Sequence, residues 1–365
     1  MTGLRVLMTL DAVGGVWRYA LDLAMGLHAR GVQVVLAGLG PEPSSQQRAE
    51  AQAVGPLEWG DASLDWMAEG AGDLAPVAGW IDGLATGHKV DLLHLNLPTQ
   101  AVGLTCGLPV LTMSHSCLAT WFDAVRGTAV PPEMNWNRRL TAQGLAAADL
   151  LVVPTRAQGQ AVARLYPDLP PVAVVHNSSQ AALPLGPRRA EVTAVGRWWD
   201  DGKNGAVLDA AAARSAWPVT MIGANQGPNG AGIALTHARS LGPMSHNRTL
   251  DHVCRTGIFC APSLYEPFGL AILEAARAGT PLVLADIPTF RELWQDAAVF
   301  FDPRDPDGLA AALDALAQDP QARAQLGQAA CRRAERYAPR HQTAAMLRLY
   351  GGLVAPRASA RTATG

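Results

Sequence analysis

Short runs of continuous apolar residues recur along this chain, and between them lie longer stretches with an apolar residue every three or four positions. The first run, residues 5–10, leads through Gly14 and Gly15 into a helical pattern carried by Val16, Ala20, Leu23, Ala24 and Leu27. Gly31 closes that helix, and residues 32–36 form the next strand, which completes a β-α-β unit. Residues 91–95, 109–112 and 172–175 show the same short apolar character with little alternation. Strands without alternation are buried on both faces, so the pattern predicts a parallel sheet covered by helices.

The pattern weakens between residues 40 and 76, where Pro, Gly, Ser and Glu dominate and one or two helices are expected within a long excursion. Two prolines and a glycine in residues 181–190 mark a domain boundary. Beyond it the same grammar returns, with strands at 191–195, 219–222, 257–261, 281–285 and 298–301 and helices at 204–214, 245–254, 269–278 and 306–316. A last helical stretch, 320–353, is interrupted around Tyr337 and Pro339 and is long enough to cross back to the first domain. The expected architecture is α/β, with two Rossmann-like domains (1–183 and 188–335) facing each other across a nucleotide-sized cleft, a crossover helix (336–353) and a flexible tail (354–365).

Composition narrows the function classes. The 365 residues carry 29 basic and 31 acidic side chains, a net charge of -2 that argues against a general nucleic-acid binder. Residues 1–180 hold 10 basic and 15 acidic side chains, and the remainder 19 and 16, so neither half is a polyanion clamp. All but two of the basic residues are Arg, the exceptions being Lys89 and Lys203, a bias that fits a GC-rich genome. Five cysteines without a C-x-x-C pair imply neither a disulfide framework nor a zinc site and fit a reducing, cytoplasmic setting. No uncharged apolar run approaches the ~20 residues of a spanning helix.

Two segments carry candidate chemistry. Between a strand and a helix, residues 262–279 place Glu266 in the loop and Glu274 inside the helix, eight residues apart around a glycine turn. A helix N-terminus offers unbonded N–H groups and a positive dipole end to an anion such as a diphosphate. A carboxylate one or two turns on suits a ribose, and the loop carboxylate faces whatever is attached beyond the phosphates. The plainer alternative makes Glu266 a helix cap and Glu274 a solvated helix-face residue. Residues 195–204 follow the first strand of the second domain; there Arg197 stands at a strand's carboxyl end and Lys203 at the next helix start, two cations spaced to share one diphosphate. The alternative is a surface loop with an Asp-Lys pair. Asp305 and Asp307, a D-x-D spacing, read as turn and helix N-cap residues because prolines flank them and a helix follows.

Taken with Asp286–Glu292, Val299–Pro303 and the opening Gly14-Gly15-Val16, these two segments resemble the family 4 retaining glycosyltransferases of the GT-B fold. The likeness is strong over residues 191–335 and loose over 37–90 and 120–145. It implies that Glu274 bonds the nucleotide ribose and that Glu266 contacts the donor sugar. Arg197 and Lys203 would bind the donor diphosphate, with the backbone of Phe268, Gly269 and Leu270 near the same phosphate. His115 would be the active-site histidine, and Gly14 and Gly15 the glycine loop near phosphates and acceptor. By itself His115 also reads as a structural strand-end histidine; His94, His176 and His246 have no match and are taken as structural.

The resemblance further implies a bacterial, cytoplasmic hexosyltransferase that uses a nucleoside-diphosphate sugar as co-substrate, with no metal or other cofactor. Its acceptor would be a glycan or lipid-linked glycan in surface-polysaccharide assembly, and no nucleic acid. Trp121, Phe122 and Trp136 are placed to stack on a sugar or to fill a core, and Arg126, Arg138 and Arg139 to meet a lipid-linked phosphate or the inner face of a membrane. Two other readings stand beside it: a nucleotide-sugar epimerase on the same fold, and a catalytically idle module that binds nucleotide sugars. The base, the sugar, the linkage and the oligomeric state stay open at this point.

Overall fold

The computed structural model describes residues 3–180, 183, 186–227 and 230–362, with side chains as far as residue 355. It divides into two compact units, one built on residues 3–123, 127–178 and 339–362 and the other on 124–126 and 179–338. Part of the expected boundary, residues 181, 182, 184 and 185, lies outside the described residues.

The first unit runs β1 (Arg5–Asp11), α1 (Gly15–His28), β2 (Gln33–Leu39), α2 (Ser45–Gln52), β3 (Leu57–Trp59), α3 (Pro76–Gly87), β4 (Leu92–Leu95), β5 (Val110–Met113), α4 (Leu118–Arg126), α5 (Asn135–Ala147), β6 (Leu150–Val153), α6 (Arg156–Leu165) and β7 (Val172–Val174). Its sheet has the order β3-β2-β1-β4-β5-β6-β7, and every pairing is parallel. Side chains alternate along β1: Val6, Met8 and Leu10 join α1 on one face, while Leu7 joins Val77 and Ile81 of α3 on the other. Both faces are apolar because both are covered, which is why the strand shows no polar alternation in sequence.

The second unit runs β8 (Arg189–Val195), α7 (Gly205–Ala212), β9 (Val219–Ile222), β10 (Arg239–Gly242), α8 (His246–Arg255), β11 (Thr256–Ala261), α9 (Leu270–Arg277), β12 (Leu282–Ala285), α10 (Pro288–Trp294), β13 (Val299–Phe301), α11 (Pro306–Gln318) and α12 (Pro320–Ala334). Its parallel sheet has the order β10-β9-β8-β11-β12-β13. In both sheets the first strand of the unit is interior and the chain leaves it in both directions, so a switch point lies between β1 and β4 and another between β8 and β11. Open α/β sheets bind ligands outside the carboxyl ends of strands at such points.

The last helix, α13 (Pro339–Thr362), belongs to the first unit. Met346 and Tyr350 are fully buried in the same core as α1. The approach of α1 to α13 is close enough that a methyl group on Gly26 would lie against the Thr343 side chain. The helix passes Leu353, where the sequence pattern predicts a tail, and continues to Thr362; Ala and Arg, which fill most of 355–362, are strong helix formers. Residues 363–365 of the expected tail are outside the described residues. The excursion at 40–76 holds α2, β3 and a short 3-10 turn at Ala71–Leu74. Its strand and the strands β6 and β10 are not among the strands expected from the sequence. Asp305 accepts from the N–H groups of Asp307 and Gly308 at 3.0 and 2.9 Å and caps α11, the role its prolines predict.

Gly144, inside α5, has a specific packing reason. A Cβ there would sit 1.8 Å from the Pro98 carbonyl oxygen, so only glycine lets α5 lie against the turn at 98–101. Gly144→Ala therefore lowers the stability of the first unit, by roughly 1–3 kcal/mol if overpacking is typical, despite the better helix propensity of Ala. At about 2–4 °C per kcal/mol for a unit of this size, a melting curve registers the change, and an unchanged Tm refutes the packing argument.

Candidate active site

The second unit gathers most of the predicted donor-side residues at the carboxyl ends of β8 and β11. Gly196 follows β8, and its N–H donates to the Ile222 carbonyl at the end of β9 (3.0 Å). Gly223, at φ +125°, comes so close that a Cβ would lie 1.9 Å from the Gly196 oxygen. This contact sets the start of the loop 197–204. Trp198 is buried, with its indole N–H donating to the Ile222 carbonyl (3.1 Å). Asp200 accepts from the Gly202 N–H (2.9 Å) and caps the turn Asp201–Lys203. Asn204, in the left-handed region at φ 56°, donates to the carbonyls of Pro262 (2.9 Å) and Pro303 (2.7 Å), which ties this loop to the one after β11. The N–H groups of Leu264 and Tyr265 both donate to the Gly202 carbonyl, completing the lock.

Within this frame Lys203 Nζ lies 2.5 Å from Glu266 Oε2, with both side chains about four-fifths buried. A Cβ on Gly269 would be 3.4 Å from Glu266 Cγ, so the carboxylate packs beside the start of α9. Gly269 takes φ +88° as the N-cap of that helix, and an L side chain there would be strained. By helix geometry the N–H groups of Leu270, Ala271 and Ile272 have no carbonyl inside the helix to bond. Phe268 turns the other way, into the core, edge-on to Tyr337 at 5.8 Å. Arg197 is more exposed; its guanidinium lies 3.7 Å from Asp200 and 5.6 Å from the Trp199 ring. Arg197 and Lys203 thus each stand beside a carboxylate, Asp200 and Glu266, at either end of the turn Asp201–Lys203.

Glu274 is not the solvated residue of the plainer sequence reading. It is buried, accepts from Ser179 Oγ at 3.2 Å, and lies 3.5 Å from His246 Nε2. Arg277, one turn further along α9, donates to the same Ser179 hydroxyl (3.4 Å). His246, which the sequence reading set aside as structural, thus stands at a proposed ligand-binding residue. Nothing in the string marks it, since α8 and α9 meet only in the folded unit.

The first unit holds the other predicted residues at the carboxyl ends of β1, β4 and β5. Gly14 caps α1 with extended backbone and Gly15 opens the helix. His115 follows β5, half-buried, with Nε2 2.8 Å from Asn96 Oδ1. Asn96 is itself fixed: its amide group donates to the Thr9 carbonyl (2.5 Å), and its backbone N–H donates to Thr9 Oγ1 (2.7 Å). Thr9 Oγ1 in turn donates to Gln100 Oε1 (2.7 Å). Because the Asn96 oxygen can only accept, His115 carries its proton on Nε2 and presents Nδ1 as an acceptor. The Tyr19 ring meets the imidazole edge-on at 4.4 Å. Thr9, Asn96 and Gln100 were missed in the sequence; the available signal was a threonine inside an apolar strand and two amides just after β4.

Burial pushes the His115 pKa down to about 3, with His94 adding to the shift, and burial moves His94 to about 3 against an opposing hydrogen bond with Asn96. Both imidazoles are neutral at pH 7. Asp65, from the weakly patterned 40–76 stretch, accepts from Thr99 Oγ1 (2.9 Å) and is raised to about 6, chiefly by burial. Trp121 and Phe122 pack edge-on to each other at 5.1 Å, and Phe122 also contacts the core beside β6. Arg138 donates to the Leu165 carbonyl.

With the geometry in place, the comparisons define the class and then the family. Solved GT-B structures share the fold of two Rossmann-like halves. Sucrose-phosphate synthase from Thermosynechococcus elongatus superposes with a TM-score of 0.78 at 16% identity, covering 97% of this chain and 100% of that one. The Anabaena HepE protein in complex with UDP-glucose gives 0.76 at 17% identity, covering 96% and 100%. Residues 13–178 match the family described as Glycosyltransferase Family 4, and residues 235–333 match Glycosyl transferases group 1. The chain belongs to this glycosyltransferase family and is a glycosyltransferase. Among curated relatives, glycogen synthase from Mycobacterium tuberculosis is 28% identical over 88% of this chain and 86% of its own length. Phosphatidyl-myo-inositol mannosyltransferase from Mycolicibacterium smegmatis is 34% identical over 33% of the chain and 32% of its own length. Gly14, Gly15, His115, Glu266 and Glu274 fall inside the two matched stretches, whereas Arg197 and Lys203 fall between them.

The two depressed histidines have a pH consequence. An unfolded histidine takes up a proton near pH 6.5, but His94 and His115 resist it until about pH 3. The unfolded state therefore binds more protons between these values. The stability contribution of the two groups is complete above about pH 6.5 and is lost progressively as pH falls toward 3. Imidazole NMR signals of His94 and His115 are expected to stay at their neutral positions from pH 8 to 4.5; midpoints near 6.5 would contradict the burial argument.

Proposed function

We propose that the chain is a retaining glycosyltransferase that moves a hexosyl unit from a nucleoside-diphosphate sugar to a glycan or lipid-linked acceptor, without a resident metal. The observation that carries this reading is the pair Lys203–Glu266, held at 2.5 Å beside the N-cap glycine of α9. It sets a cation, a sugar-facing carboxylate and a helix dipole around one small volume within the second unit. The named substrates of relatives are compatible with it: a glycogen synthase and inositol-lipid mannosyltransferases by sequence, and a UDP-glucose complex by fold.

In the reaction the bond from the anomeric carbon to the diphosphate oxygen breaks, and a bond from the same carbon to an acceptor oxygen forms. Negative charge grows on the departing phosphate while the sugar becomes oxocarbenium-like. Arg197, Lys203 and the N–H groups at the start of α9 lie where a diphosphate of the expected pose would develop that charge. Loss of one such donor typically costs about 10²–10³ in rate. Glu274, held by Ser179, accepts from the ribose hydroxyls. In the retaining route the acceptor proton passes to the departing phosphate, so the protein need not supply a base on that face. His115, neutral and fixed by Asn96, offers Nδ1 as an acceptor to a sugar hydroxyl. We place the activity in bacterial surface-polysaccharide assembly, in the cytoplasm, with peripheral contact at the inner face of the membrane. No helix among the described residues is long and apolar enough to span one.

The test is thermal-shift binding to UDP-, GDP- and ADP-sugars, comparing the natural chain with Lys203→Ala and Glu274→Ala. Ligand binding raises stability by RT ln(1 + [L]/Kd), about 2.7 kcal/mol at a hundred times Kd. Stabilisation by one nucleotide class that disappears in both variants is the expected result. No stabilisation by any of them at millimolar concentration overturns the donor site, and loss of turnover on EDTA treatment overturns metal independence.

A further inference from the structure

A chain of four aromatic side chains, three of them fully buried, connects the C-terminal helix to His115. Tyr350, fully buried on α13, has its hydroxyl 2.6 Å from His94 Nδ1. The other ring nitrogen, His94 Nε2, lies 3.4 Å from the hydroxyl of Tyr19, also fully buried. Tyr19 meets His115 edge-on, and Asn96 fixes the far side of that imidazole. His94 and Tyr350 are themselves edge-on at 5.9 Å. All five side chains belong to the first unit.

A neutral imidazole has one N–H and one lone pair. Two tyrosine hydroxyls on its two nitrogens therefore cannot play the same part: one donates into the lone pair and the other receives the N–H. The shorter contact, at Tyr350, is the O–H donation into Nδ1, typical of a strong O–H donor. His94 then carries its proton on Nε2 and directs it at the Tyr19 oxygen. That fixes the hydroxyl end of Tyr19, and with it the ring edge that packs on His115.

We propose that Tyr350 is a positioning residue for His115, acting from α13 through His94 and Tyr19 to hold the plane of the imidazole. The proposal rests on the reading of His115 as the histidine that contacts the donor sugar, and the experiment separates the two. The reaction gains from this because an acceptor such as Nδ1 acts only along its lone-pair direction, and a ring held from one side alone can rotate. It also explains why a helix so distant in sequence buries a tyrosine, where phenylalanine would fill the same volume without a hydroxyl to satisfy.

The full chain is compared with Tyr350→Phe, His115→Ala and Leu36→Ala, a truncation of an apolar side chain on β2 in the same core. Three readouts are taken: Tm, UDP release from UDP-glucose, with ADP- and GDP-glucose as further donors, and ring signals of 15N-labelled histidine without ligand. For Tyr350→Phe the expectation is a kcat lower by about 5- to 30-fold with donor KM changed less than 2-fold, and shifted His94 and His115 ring signals. Leu36→Ala should lower Tm at least as much and leave kcat and the His115 signals in place. An unmoved His115 signal in Tyr350→Phe overturns the proposal, as does an equal kcat loss in Leu36→Ala. If His115→Ala is inactive while Tyr350→Phe turns over normally, the positioning role falls and the reading of His115 stands. Full activity in His115→Ala overturns both.

Discussion

A parallel sheet buried on both faces leaves its chain few places for polar side chains, and that constraint organises this protein. The interiors of β1, β4, β5, β8 and β11 are almost wholly apolar, with both sides covered by helices. Polar and charged groups are pushed to the strand ends. There the carboxyl ends face helix N-termini, so a positive dipole end and unbonded N–H groups gather on the same side as the displaced side chains. Asn96, His115, Arg197, Lys203 and Glu266 all stand in such positions, two sets on two sheets of like topology.

The exceptions inside the sheets are informative because burial makes each of them costly unless paired. Thr9, His94 and Asn96 are buried polar residues of the first unit, and each has a named partner: Gln100, the two tyrosines and His115. A buried polar network that is fully satisfied rigidifies its surroundings. Here the surroundings include the histidine of the candidate site, which stays neutral because it is desolvated and next to another imidazole. Its chemistry is that of a fixed acceptor and not of a cation, which suits the contact with a sugar hydroxyl proposed for it.

The second unit solves a different problem. Its loops 197–204 and 262–269 carry charge, and charged loops wander unless their backbone is tied. Gly223 lets the end of β9 touch the end of β8, Asn204 bridges Pro262 and Pro303, and Gly202 receives two N–H groups from the opposite loop. These backbone ties hold the Lys203–Glu266 pair in place. Arg197 and Lys203 each stand beside a carboxylate of these loops, Asp200 and Glu266.

Much of this was legible in the string. Continuous apolar runs showed parallel strands, glycines at 14, 15 and 269 showed the strand-to-helix turns, and segments 195–204 and 262–279 carried the resemblance to the family. Local signals suffice there, because a strand, a cap or a loop motif is decided by residues close in sequence. The burial of Glu274 against Ser179 and His246, the tie from Thr9 to Asn96 to His115, and the reach of Tyr350 to His94 were decided only by tertiary structure. These contacts join residues from 19 to 256 positions apart, and no periodicity or spacing rule acts over such distances. What selects them is the need of each buried polar atom for a partner, and the partner is known only once the layers have packed.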